Sequence, residues 1–221
     1  MVRSNNGVPM SDSDWYRSSD WSPAAQQDFE QRLRRARYQK WNYLNIKAGF
    51  LMRVASTRPA GYVLQQRVIE GCDNPTLVAC VHQEIAQQRL ADGELNLAES
   101  AFRTAIELRR TLSNLDTPGA DPRIELAELL LHRKPPRADE AIRLLREIDS
   151  KTLFIPAEQL RYATARARSA ARLGDRADAK RHAAAALAIS AREPASEKMA
   201  LSGIRTQLDA KVRAQLRRLA E

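Results

Sequence analysis

The chain has 221 residues, of which 43% are apolar, and a formal net charge of +9. That is enough apolar surface for a continuous core, and too much for a disordered segment. No apolar run approaches the roughly 18 to 20 residues that span a bilayer. The two cysteines, Cys72 and Cys80, are too few for a disulfide framework and match no metal-site spacing. These features predict a soluble, cytoplasmic protein with reduced thiols, whose positive charge favours an acidic or phosphate-rich partner.

In chain order, residues 1–21 are rich in Ser, Asn and Asp, and are expected to form a flexible tail carrying an aromatic cluster, Trp15, Tyr16 and Trp21. Tryptophans in a polar segment need something to pack on, and the first helical hairpin is the expected platform, with a partner's surface the alternative. Ser22 followed by Pro23 marks a helix start, a capping hydroxyl and then the residue that loses nothing at the first helical position. The same punctuation recurs at Pro59, Pro75, Pro122, Pro136, Pro156 and Pro194, while Gly93 and Gly174-Asp175 supply turns.

These marks predict helices over 23–38, 40–56, 60–71, 76–91, 94–113, 122–133, 137–148, 156–172, 176–191 and 196–219. Ala, Leu, Arg, Glu and Gln dominate and nothing alternates with period two, so the fold class is all-α, with 22–221 as a single domain. In the last helix, Leu201, Ile204, Leu208, Val212, Leu216 and Leu219 fall on one face, and Arg205, Lys211, Arg213, Arg217 and Arg218 on the other. Such a helix suits the role of a cap on a helical stack.

Three segments repeat a pattern of small residues. Gly93 is followed by Ala98, Phe102 and Ala105; Pro136 by Ala141, Leu145 and Ile148; Gly174 by Ala179, Ala183 and Ala186. Small residues on the second helix let it approach the first, and the residue four later fills the space between hairpins. Ala86 and Ala167 stand seven residues before Gly93 and Gly174. The best copy, His82, Ile85, Ala86, Arg89, Gly93, Ala98, Phe102, Ala105, resembles the tetratricopeptide consensus. A weaker copy precedes it, with Leu44, Ala48 and Leu51, then Leu64 and Val68. The opening, from Trp15-Tyr16-Arg17 to Tyr43-Leu44, is similar to that of an uncharacterised bacterial family of tetratricopeptide proteins.

The resemblance implies a right-handed superhelical stack of about four hairpins, with an N-terminal helix and a C-terminal capping helix. It also implies a concave groove lined by Asn42 and Asn45, by Gln83 and Gln87, and by Arg161, Thr164, Arg168 and Arg172. Asn and Gln can bond an extended peptide's backbone and Arg pairs with carboxylate or phosphate, so a partner protein or an acidic peptide is the expected occupant. His82 stands where the family has a core tryptophan, and is expected to be packed in the core.

A basic stretch, Arg161, Arg166, Arg168, Arg172, Arg176, Lys180 and Arg181, opens an alternative: a basic solenoid that binds RNA or DNA by its phosphates. Only Tyr162 accompanies it, whereas single-strand binders add stacking aromatics. His82, His132 and His182 lie out of helical reach of one another, so no metal is expected. With no phosphate loop, metalloprotease helix or nucleophile elbow, the sequence reads as a non-catalytic interaction scaffold without a cofactor.

Overall fold

A computed structural model describes residues 14–112, 120–191 and 208–221. Among these the chain is all-helical: α1 (Pro23–Arg35), α2 (Lys40–Met52), α3 (Arg58–Gly71), α4 (Pro75–Ala91), α5 (Leu95–Arg110), α6 (Pro122–His132), α7 (Ala138–Arg146), α8 (Pro156–Arg172), α9 (Arg176–Ser190) and α10 (Ala210–Ala220). None of these helices is long and apolar enough to cross a membrane. Pro194, Leu201, Ile204 and Arg205 lie outside the described residues, as does the first half of the predicted last helix.

Local chemistry sets the helix starts. Proline occupies the first position of α1, α4, α6 and α8. The side chains of Ser22, Asn74, Asp121, Asp175 and Asp209 accept from backbone N–H groups of the first turn, satisfying donors that no carbonyl can reach. At the ends of α4 and α8 the closure is the same twice over. Glu94 N donates to Arg89 O at 2.8 Å and Asp175 N to Ala170 O at 3.0 Å, around Gly93 and Gly174, both at φ 78°. This is the left-handed helix stop that glycine adopts without strain.

The chain divides at Thr117/Pro118 into two compact units. In the first, α2 pairs with α3 and α4 with α5; in the second, α6 pairs with α7 and α8 with α9. Ala98, Ala141 and Ala179 each stand fourth in the second helix of a hairpin, and all are buried. The residues four and seven further on, Phe102 and Ala105, Leu145 and Ile148, Ala183 and Ala186, are buried too. Ala86 and Ala167 are buried opposite them, and in the α6/α7 hairpin Ala127 is a buried alanine of the first helix. Its turn, 133–137, is longer, which hides the register from the sequence.

In the first unit, Phe29 and Leu33 of α1, Leu44, Ala48 and Leu51 of α2, Leu64 and Val68 of α3 and Val81 of α4 form one cluster. Gly61 lets α3 close on α2, because a Cβ there would stand 2.6 Å from the Met52 side chain and 3.1 Å from the Ala48 carbonyl. Residues 14–22 are not a loose extension. Trp15 lies 5.2 Å from Phe29 and 5.3 Å from Tyr43 between ring centres, Tyr16 4.7 Å from Tyr43, and Trp21 5.7 Å from Phe29.

Lys47 fastens this strap. It is only 2% exposed, and its Nζ donates to the carbonyls of Ser18 at 2.8 Å and Asp20 at 2.9 Å. Trp21 and Phe29 present their ring faces to it. Burial pushes its pKa down to about 8, against the pull of Asp20.

In the second unit, α10 covers α8 and α9: Leu216 is buried against Leu160, Ala163, Ala167, Ala183 and Ala186, with Leu208, Val212 and Leu219 alongside. The described part of the predicted stripe therefore faces the core, and Lys211, Arg217 and Arg218 are exposed.

Two measurements check these anchors. Gly93→Ala and Gly174→Ala meet no neighbouring atom, so each should lose only the conformational term, about 1–2 kcal/mol, in denaturant unfolding. Lys47→Met should lose about 1–3 kcal/mol at neutral pH, because it removes the two charge-assisted hydrogen bonds that tie Ser18 and Asp20 to α2. The unfolded chain keeps the Lys47 proton to about 10.5 and the folded chain only to about 8, so this residue makes stability rise with pH through that window. Unfolding curves at either end of the window should show that rise in the parent and its loss in Lys47→Met.

Candidate functional site

Helices α2, α3 and α4 enclose a cleft of about 490 Å3. On α2, Leu44, Ala48 and Leu51 turn into the core, which leaves Asn45, Gly49 and Phe50 facing the cleft, with Arg53 at its rim. On α4, Val81 and Ala86 are buried, and Glu84, Gln87 and Gln88, spaced by three and four, share the cleft side. From α3 comes Gln65, beside the core residues Leu64 and Val68.

Glu84 is the hub. Asn45 Nδ2 donates to its Oε1 and Gln65 Nε2 to its Oε2, each at 3.2 Å. A carboxylate only accepts, so both carboxamides must aim their nitrogens at Glu84 and their oxygens elsewhere. Those oxygens, Asn45 Oδ1 and Gln65 Oε1, are buried without a hydrogen-bond partner. Burial pushes the Glu84 carboxyl above the ordinary glutamate range, in spite of the two amide donors. At the mouth, the Arg53 guanidinium lies 4.7 Å from the centre of the Phe50 ring.

The eight residues expected to line a groove fall into separate groups. Asn45 and Gln87 do line the cleft, and Asn42 is exposed outside its lining. Gln83 does not face a groove: it is buried, and its amide oxygen accepts from Arg109 Nη2 of α5 at 2.7 Å. Nor is His82 a core residue, being half-buried, with burial holding its pKa below the usual histidine value. Ala79, Gln83 and Ala86, spaced by four and three, take the core side of α4, which turns Gln83 inwards. Sequence reasoning missed Glu84 and Gln65; the 84, 87, 88 spacing is the signal that could have shown the former.

Arg161, Thr164, Arg168 and Arg172 belong to α8 of the second unit. Arg161 Nε lies 3.1 Å from Glu128 Oε1, and its Nη1 3.5 Å from Glu125 Oε1. Burial opposes its charge, but the two carboxylates of α6 outweigh that and hold it protonated beyond the ordinary arginine range. Thr164 is half-buried, and Arg168 donates to Gln215 of α10 at 3.1 Å. Arg172 is exposed.

Much of the rest of the basic stretch is also engaged, with Arg176 exposed. Arg166 forms a buried ion pair with Asp178 of α9 at 2.9 Å. Asp178 also bonds Arg181 and faces His182 at 3.4 Å. Lys180 donates to Glu221 O at 2.6 Å. No protein family, curated protein or solved structure matches the chain.

The cleft yields a stability test. A carboxyl whose pKa is raised in the fold binds its proton earlier than in the unfolded chain, so its contribution to stability falls as pH rises above about 4.5. Glu84→Gln keeps the shape and removes the charge. It should therefore be more stable than the parent at pH 7, with the difference shrinking towards pH 4, as read from urea unfolding.

Proposed function

We propose that the chain is a non-catalytic interaction module, a tetratricopeptide-like superhelical stack of hairpins that binds an extended segment of a partner protein. One observation carries the reading. Three hairpins place a buried alanine fourth in their second helix, with buried residues four and seven further on. That is the spacing with which repeat hairpins pile side by side and present their first helices as a binding surface.

The cleft supports a protein segment over an acidic peptide as occupant. It is lined by the carboxamide side chains of Asn45, Gln65, Gln87 and Gln88, a residue type suited to main-chain groups, and by the Glu84 carboxylate, which would repel acidic side chains. The nucleic-acid alternative draws less support, because Arg161 and Arg166 are spent on Glu125, Glu128 and Asp178.

The test is capture of partners by the full chain from its native host, quantified by mass spectrometry, against an Asn45→Ala/Gln87→Ala double variant. A specific partner whose recovery falls about tenfold in the variant, which corresponds to about 1.4 kcal/mol, supports the cleft as its binding surface. Equal recovery by both proteins counts against it. Loss of the retained material on nuclease treatment would transfer the reading to the phosphate-binding alternative.

A further inference from the structure

Residues 31–69 contain no aspartate or glutamate, yet carry cations throughout. The nearest acids before them, Asp28 and Glu30 on α1, are already met by Arg32 and Arg67. Around the turn between α1 and α2, Arg35, Arg37 and Lys40 are exposed and lie against no carboxylate among the described residues. Arg34, exposed too, donates to the Glu30 backbone carbonyl at 3.4 Å and not to its carboxylate. Four cations within seven positions repel one another, and an anion drawn along them would relieve that repulsion.

Tyr38 stands in the middle of them. It is 83% exposed, although a tyrosine ring ordinarily lies against something. Gln39 follows it in left-handed backbone, at φ 58°, and the Gln39 carbonyl accepts from Tyr43 N at 3.0 Å, which ties the turn to the start of α2. Trp41 anchors the same end of α2: a Cβ on Gly71 would stand 2.2 Å from its ring, and Lys40 Nζ lies 4.8 Å from a ring centre of the indole. The tyrosine is thus held out into solvent by a turn of fixed shape, with cations before and after it.

We propose that the α1/α2 turn binds single-stranded nucleic acid, with Tyr38 as the platform on which one base stacks and Arg34, Arg35, Arg37 and Lys40 as contacts for the phosphates on either side. A strand needs its cations along a path and not gathered round one point, and no two of these residues are more than about 22 Å apart at Cα. Stacking takes a base whose face is open, which a single strand offers and a duplex does not. An acidic protein segment would answer the cations but give the ring nothing to stack on. An anionic membrane calls for an apolar face, and the nearby exposed residues Gln39 and Asn42 are polar. The site is separate from the α2/α3/α4 cleft, whose lining includes none of these residues.

The test is fluorescence anisotropy of a labelled oligouridylate of about 12 nucleotides titrated with the full chain. Labelled heparin, a polyanion without bases, is the second probe, and polyglutamate and phosphatidylserine vesicles are competitors. Expected is saturable binding of the oligonucleotide that weakens with salt at a log–log slope of about −3, for four phosphate contacts on a single strand. Tyr38→Ala should lose about tenfold for the oligonucleotide and nothing for heparin, while Tyr38→Phe binds like the parent. Arg35→Ala/Arg37→Ala should lose affinity for both probes, with a slope shallower by about 1.4. These side chains are exposed, so the variants should unfold at the parent's denaturant midpoint. The Asn45→Ala/Gln87→Ala variant should bind the oligonucleotide as the parent does, which keeps this result apart from the fate of the cleft. Unchanged affinity in Tyr38→Ala overturns the proposal, as does equal binding of a duplex of the same length. So does displacement by polyglutamate or vesicles more readily than by unlabelled oligonucleotide. Affinity that survives in Arg35→Ala/Arg37→Ala would move the contact to other exposed cations, and that result overturns it too.

Discussion

Close approach of paired helices, made possible by small side chains at the contact, governs this protein. In the α4/α5 hairpin the buried small residues are Ala86, Ala98 and Ala105; in α8/α9, Ala163 and Ala167 share one cluster with Ala183 and Ala186, and Ala170 shares another with Ala179. Larger residues at these sites would push the axes apart and open voids that the sparse aromatics could not fill. Gly61 does the same for α2 and α3. Once the pairs are close, the longer side chains, Phe102, Leu145 and Leu216 among them, have fixed spaces to occupy.

With alanine supplying much of the contact, specificity falls to a few buried polar groups. Arg166 and Asp178 bind α8 to α9, and each compensates the charge of the other. Lys47 has no ion-pair partner of that kind: it is met by the carbonyls of Ser18 and Asp20 and the ring faces of Trp21 and Phe29, and its burial lowers its pKa against the pull of Asp20. Glu84 is the third case. Two amides meet its oxygens, and the penalty of burial moves on to those amides' own unmatched carbonyls. Arg166 Nε is likewise buried without a hydrogen-bond partner, so what sets the Glu84 arrangement apart is that it lines a cleft.

The basic character of the chain reads differently once paired. Arg161 and Arg166 count towards the net charge of +9, yet both lie against carboxylates contributed by other helices. A linear reading of residues 161–181 sees few acids nearby, because Glu125 and Glu128 are more than thirty positions away. Exposed cations such as Arg172 and Arg176 are what remains for a partner to feel at a distance.

Helix positions were legible because their causes are local: a proline at the first turn, a hydroxyl or carboxylate before it, a glycine after the last. Nine helices lie within a few residues of the ranges those signs predict, and α10 falls in the second half of the tenth. The buried stripe of small residues was legible for the same reason, since its period is the helix's own. Which neighbour of a core residue faces the cleft was not legible. Gln83 and Glu84 differ by one position, about 100° around a helix, and the choice between them depends on how Ala79 and Ala86 seat against other helices. Likewise nothing local in the sequence marks Lys47 or Gln65 as buried. Only the tertiary structure decided that they are buried and what they touch, because their partners come from segments distant along the chain.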